Sequence, residues 1–181
     1  MDTTTTRNRW RTATLAGAAV LGLAALGATA APAAGAVSTP GRCTTAELGA
    51  RLLPGSPGAG QRYATVVLTD TGGSACTVAG YGGLALLGAA GQGVPTDLQR
   101  VPSPAPQTVT LSPGTSARSL LHWTAVPAGD ETGTACEPTA TTVVVTPPDG
   151  TTSMLLPWSY GPVCQHGLIR QNAYVPGATA F

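Results

Sequence analysis

The chain has 181 residues, only 9% of them charged, with a formal net charge of +1 and no lysine. Beyond its first forty residues Arg42, Arg51, Arg62, Arg100, Arg118 and Arg170 balance Glu47, Asp70, Asp97, Asp130, Glu131, Glu137 and Asp149. That near-neutral set carries no basic stripe, which excludes a surface built to grip a nucleic-acid backbone.

The opening segment reads as an address. Arg7, Arg9 and Arg11 form a positive region, and Leu15, Val20, Leu21, Leu23 and Leu26 follow as an apolar nucleus. At about a dozen residues the nucleus suits a signal peptide, since a membrane span needs about 20. Ala34-Gly35-Ala36 supplies a small-x-small cleavage pattern, with Ala28-Thr29-Ala30 as a second choice. Residues 1–36 are therefore expected to be a signal peptide, 37–42 a flexible lead-in and 43–181 a single domain. An uncleaved anchor is the rival reading, but the stretch is mostly Ala, Gly and Thr, which insert poorly. Cys43 stands clear of the apolar nucleus, which argues against lipid attachment.

The exported part contains Cys43, Cys76, Cys136 and Cys164. An even count in an oxidising compartment reads as two disulfides. Three pairings are open; Cys43–Cys76 with Cys136–Cys164 is favoured because each closes a loop of about thirty residues within one half of the chain. No C-x-x-C pair exists to suggest zinc.

Thr44-Thr45-Ala46-Glu47 matches a capping box, so one helical turn is expected after Cys43. From there strand signals dominate. Over Arg62 to Asp70, Ala64, Val66 and Leu68 alternate with Tyr63, Thr65, Val67 and Thr69, the period of a strand with one buried side. Thr71 to Ser74 is a turn, Cys76 opens an extended piece, and Gly80-Tyr81-Gly82-Gly83 breaks it before Leu84, Leu86 and Leu87. Ala90 to Gly93 reads as a hairpin turn into Val94, and the proline-rich stretch Pro102 to Pro106 as loop or edge. Thr108 to Leu111 is a short strand, and Ala117, Ser119, Leu121 and Trp123 alternate with Arg118, Leu120 and His122, the tryptophan side inward. A polar loop from Val126 to Glu137 precedes strands at Thr141 to Thr146, Met154 to Trp158 and Leu168 to Val175. About seven to nine short strands with almost no helical periodicity predict an all-β, immunoglobulin-like antiparallel sandwich, for which a jelly roll would leave similar marks.

The ordered motifs Arg42-Cys43-Thr44, Gln61 to Thr71, Cys76 to Tyr81, Leu111 to Ala117, Leu121-His122-Trp123, Cys136, Val145 to Pro148 and Cys164 resemble the actinobacterial exported domain-of-unknown-function family 4232. The resemblance covers essentially the whole exported part. It implies an extracytoplasmic β-sandwich with the favoured cysteine pairing, and no activity or site residues. The chain departs from the family pattern at Gly82, commonly Pro, and at Asp70, commonly Asn.

Little points to catalysis. His122 and His166 are the only histidines, and no G-x-S-x-G elbow accompanies them. The two with Met154 make a meagre copper set. Asp130-Glu131, adjacent in a loop, are poorly spaced for glycoside hydrolysis. No catalytic residue, metal ligand or cofactor site is assigned. Tyr81, Trp158 and Tyr160 are the candidate contacts for a partner or glycan, because exposed aromatic faces stack on sugars or anchor proteins. The expectation is a non-catalytic binding module, secreted or cell-wall-associated, whose partner is wall glycan or another exported protein. No membrane span is expected after signal cleavage. The alternatives are a secreted hydrolase using His122 or His166, and a structural envelope component without a discrete ligand.

Overall fold

The computed structural model describes residues 39–131 and 136–181. The signal-peptide reading of residues 1–36 lies outside the described residues, and no helix among them is long and apolar enough to cross a membrane.

One 3-10 turn, Thr45–Glu47, stands where the capping box predicts it. The Thr44 N–H and hydroxyl both donate to Glu47 Oε2 at 2.8 Å, which holds that carboxyl below its usual range. In chain order the strands are β1 (Leu48–Pro54), β2 (Gln61–Asp70), β3 (Cys76–Ala79), β4 (Gly83–Leu87), β5 (Gly93–Val94), β6 (Asp97–Val101), β7 (Thr108–Leu111), β8 (Ser116–Thr124), β9 (Thr142–Thr146), β10 (Met154–Pro157), β11 (Leu168–Asn172) and β12 (Val175–Pro176).

They form a β-sandwich. The larger sheet runs β1-β2-β8-β11-β6, with β12 also pairing β8; the smaller runs β10-β9-β4-β5, and β3 and β7 make a separate ribbon. The antiparallel expectation holds between the named strands except where β6 pairs β11 in parallel, and an isolated parallel bridge joins Arg42 to Thr77. Ala117, Leu121 and Trp123 of β8 turn inward as the alternation predicts, and Ala64, Val66 and Leu68 of β2 join them. Leu86, Val143 and Val145 of the smaller sheet, with Ile169 and Tyr174, complete one core. Burying each of these large side chains contributes roughly 1.5–3 kcal/mol.

Both disulfides pair as favoured. Cys43–Cys76 ties the start of the domain to the β3–β7 ribbon, and Cys136–Cys164 ties the loop after β8 to the segment before β11.

The described residues form twelve strands rather than seven to nine, in part because the expected strand Leu168 to Val175 is broken into β11 and β12. Two further features differ from expectation. β1 and β6 are additional strands, and both lie at edges of the larger sheet, where only one neighbour supports the pattern. β2 is buried on both faces: Thr65 and Val67 are as inaccessible as Ala64 and Val66. The cause is the segment 177–181, which crosses the outer face. In register, Val67 lies between Arg51 and Arg118. Arg51 Nη2 donates to Ala178 O at 2.6 Å, and Arg118 Nη1 donates to Thr179 O and Ala180 O at 3.2 and 3.0 Å. The Phe181 N–H donates to Thr65 Oγ1 at 3.3 Å. Gly177 permits the approach: its φ is 141°, and a Cβ there would sit 2.7 Å from Arg118 Nε.

Candidate functional site

His122 is a satisfied strand residue. Its Nε2 lies 2.6 Å from Gln61 Oε1, and its ring stacks on Tyr63 with centroids 4.6 Å apart. Partial burial and then the Arg170 charge across the strand pair push its pKa down, so it is neutral at neutral pH.

His166 is placed differently. It lies in a tight turn where Gln165, His166 and Gly167 all have positive φ. Its Nε2 is 3.0 Å from Asp130 Oδ1, its Nδ1 is 3.7 Å from Glu137 Oε1, and its N–H donates to Glu131 Oε1 at 3.0 Å. The Asp130 hydrogen bond and charge raise the imidazole pKa; the hydrogen bond to the His166 side chain lowers that of Asp130, and the hydrogen bond from the His166 N–H lowers that of Glu131. Sequence reasoning set these acids aside as loop residues, yet they converge. The signal was the Cys136–Cys164 pair, which draws Glu137 toward the turn two residues past Cys164. Ligand atoms of Glu131, Glu137 and His166 lie within 4.8 Å of one another, close enough to share a cation. As built, the cluster is an exposed ion-pair clamp holding the loop after β8 to the disulfide turn.

The aromatic candidates separate. Trp158 is 4% exposed, its Nε1–H donates to Gly161 O at 2.9 Å, and it packs on Trp123 at 5.0 Å between centroids. It is a core residue and offers no open face to a sugar or partner. Trp158 and Tyr160 also do not share a strand face, because β10 ends at Pro157. Tyr81 is half-buried; its hydroxyl donates to Val101 O at 2.7 Å and Arg100 sits 5.3 Å over its ring, so it anchors β6. Tyr160 is half-buried, edge-on to Trp123 and Trp158, and borders an open feature.

That feature is a groove of about 400 Å³ beside the neighbouring edge strands β1 and β10, lined by Ala50, Arg51, Leu52, Leu156, Pro157, Ser159 and Tyr160. Main-chain geometry adds to its interest. The Gly55 N–H donates to Tyr63 O and the Thr71 N–H to Glu47 O, at 3.0 and 2.8 Å. Antiparallel pairing alternates, so Gly49, Arg51 and Leu53 exchange bonds with β2 while Ala50 and Leu52 turn N–H and C=O toward the free edge. On the facing edge the Trp158 N–H donates to Thr141 O at 2.8 Å. By the same alternation Leu155 and Pro157 point away from β9, and proline brings no N–H. Sequence reasoning missed this site because β1 itself was not predicted, although Leu48, Ala50 and Leu52 alternate.

A second, polar crevice of about 310 Å³ lies beside Cys43, with the Arg42–Asp149 pair at 3.7 Å and hydroxyls from Thr44, Thr45, Thr151 and Thr152. It is closed across by Thr152 Oγ1 donating to Thr45 Oγ1 at 2.6 Å.

Fold and site define a two-disulfide β-sandwich with an accessible strand edge beside an apolar groove. Residues 43–174 match a family described as a domain of unknown function, DUF4232, and the chain belongs to it. No curated protein and no solved structure matches the chain. The match runs from the first disulfide cysteine to the buried Tyr174, and the segment 177–181 lies beyond it. The two departures from the family pattern have structural readings. Asp70 Oδ1 accepts from the Gly72 N–H at 2.8 Å to shape its turn, and at Gly82 a Cβ would stand 2.6 Å from Thr146 O.

Proposed function

We propose that this protein is an exported, non-catalytic binding module that engages a protein partner at the groove between β1 and β10. The observation that carries the reading is the set of main-chain groups of Ala50 and Leu52 turned toward an apolar groove, because sheet edges left accessible in this way recruit other chains. Export is supported by the signal-like leader and by two disulfides, which persist in oxidising compartments. Burial of Trp158 weakens the stacking argument for glycan, and the groove favours protein over wall polymer.

The test is co-sedimentation of the oxidised protein with isolated cell-wall sacculi, before and after their surface proteins are stripped. Saturable pelleting that is lost on stripping, and lost when the disulfides are reduced, is the expected result. Pelleting retained on stripped sacculi identifies glycan as the ligand. Absence of saturable pelleting on either material rules out a wall-borne partner and leaves a freely secreted one, which cross-linking in the culture then captures; no cross-linked partner overturns the reading in favour of a structural envelope component. The hydrolase alternative requires an activity that disappears in His122→Ala or His166→Ala.

A further inference from the structure

We propose that the occupant of this groove is an extended peptide segment of the partner, added as a strand to the free edge of β1, with an acidic residue facing Arg51 between two apolar ones. This rests on the binding-module reading and specifies its site, mode and ligand chemistry.

The edge determines the mode. Ala50 and Leu52 together present two donors and two acceptors at strand spacing, which an extended chain satisfies and a helix does not. The β10 edge is a poorer template, because Pro157 removes one of its donors. Arg51 exchanges its main-chain bonds with Val67, so toward a new strand it forms a non-hydrogen-bonded pair, the arrangement that brings opposed side chains closest.

Charge determines the middle residue. Arg51 is the only charged residue lining the groove, and among the described residues it has no carboxylate partner. One of its nitrogens is bonded to Ala178 O, which fixes the guanidinium beside the edge and leaves its remaining donors for a carboxylate. Period-two alternation then sends the residues on either side of the acid inward, over Leu52, Leu156 and Tyr160.

A second copy of this chain fits less well. The antiparallel pairing that uses Ala50 and Leu52 of both copies sets Arg51 directly opposite Arg51, and like charges opposed across strands are unfavourable.

The test selects binders from a displayed library of random dodecapeptides on the oxidised protein and measures their affinity for variants. The expected consensus is an acid flanked by apolar residues, with amide shift changes concentrated in residues 48–54 and 154–160. Arg51→Glu should weaken such peptides by about tenfold and improve their Asp→Lys counterparts. Ala50→Pro should abolish binding while the fold survives, because the Ala50 N–H points away from β2 and an edge strand tolerates proline there. If that variant does not fold, N-methylation of the peptide amides that face Ala50 and Leu52 replaces it, with the same loss expected. Failure to enrich any peptide, shifts that map elsewhere, or affinities indifferent to Arg51→Glu would overturn the proposal. Sacculus pelleting by Arg51→Glu and Ala50→Pro at wild-type levels would overturn the groove while leaving the binding-module reading intact.

Discussion

The guanidinium carbon of Arg118 lies 4.2 Å from the ring centroid of Phe181, and that contact closes a cover over the outer face of β2. Thr65 and Val67 would otherwise be the solvent side of an alternating strand. The cover accounts for their complete burial. It is built from hydrogen bonds to the carbonyls of residues 178–180, which demand little of the side chains there.

Removing the arginine should expose this arrangement. Arg118→Ala deletes the bonds to Thr179 and Ala180 and the cation–π contact, and it uncovers Val67. A destabilisation of about 2 kcal/mol is expected, against about 0.5–1 kcal/mol for Phe181→Ala, whose ring is half-exposed. Urea unfolding gives both values. Amide exchange at Thr65 and Val67 should accelerate in the arginine variant well before global unfolding.

The two tryptophans and their tyrosine neighbour separate core from surface. Trp158→Ala should cost about 3–5 kcal/mol, because its indole fills the space against Trp123 and its N–H is bonded to Gly161. Tyr160→Ala should cost less, about 1–2 kcal/mol, since the ring covers the core from one side only. Thermal unfolding followed by tryptophan fluorescence ranks the pair. A Trp158→Ala protein of wild-type stability with impaired partner binding would restore the exposed-platform reading.

The difference between what was legible and what was not follows from the range over which each signal acts. β8 could be read because Ala117, Ser119, Leu121 and Trp123 repeat at period two within nine residues, and the disulfides because four cysteines allow few pairings. The cover over β2 could not: Arg118 and Thr179 are separated by 61 positions, and neither carries a local mark of the contact. β1 was overlooked because its apolar alternation is short and follows a capping motif that draws attention to a helical turn. The direction of the Ala50 and Leu52 main-chain groups depends on pairing phase with β2, which residue types do not encode. The His166 cluster sits between these cases: once Cys136–Cys164 is accepted, Glu137 and His166 are each within two residues of the bridge.

Breaking that bridge should loosen more than one contact. Cys136→Ala with Cys164→Ala opens a loop spanning 28 positions, which in the chain-entropy treatment costs about 3–4 kcal/mol. The double variant leaves no free thiol, so the loss reports the cross-link without exchange chemistry. Urea midpoints for the two proteins give the difference. The His166 imidazole resonances should move toward a free-histidine titration as Glu137 is released.

That titration makes part of the domain's stability depend on pH within a bounded window. His166 has its pKa raised above the ordinary 6.5 by its hydrogen bond and charge interaction with Asp130. A raised folded-state value means a contribution fully present below pH 6.5 and lost as pH rises through the folded value. Asp130 and Glu131 are shifted in the opposite sense, below 3.8 and 4.5, by hydrogen bonds from the His166 side chain and backbone respectively. Their contribution is present above those values and disappears as pH falls through the lower folded ones. The clamp is therefore complete between 4.5 and 6.5. His122 works against stability on the acid side, since burial and Arg170 disfavour its charged form. Comparing wild type with His166→Gln cancels that background. The difference in melting temperature should be largest near pH 5.5, shrink toward zero above the folded-state value of His166, and weaken in about 1 M salt because these groups are exposed. A difference independent of both pH and salt would show that His166 holds the loop by packing alone.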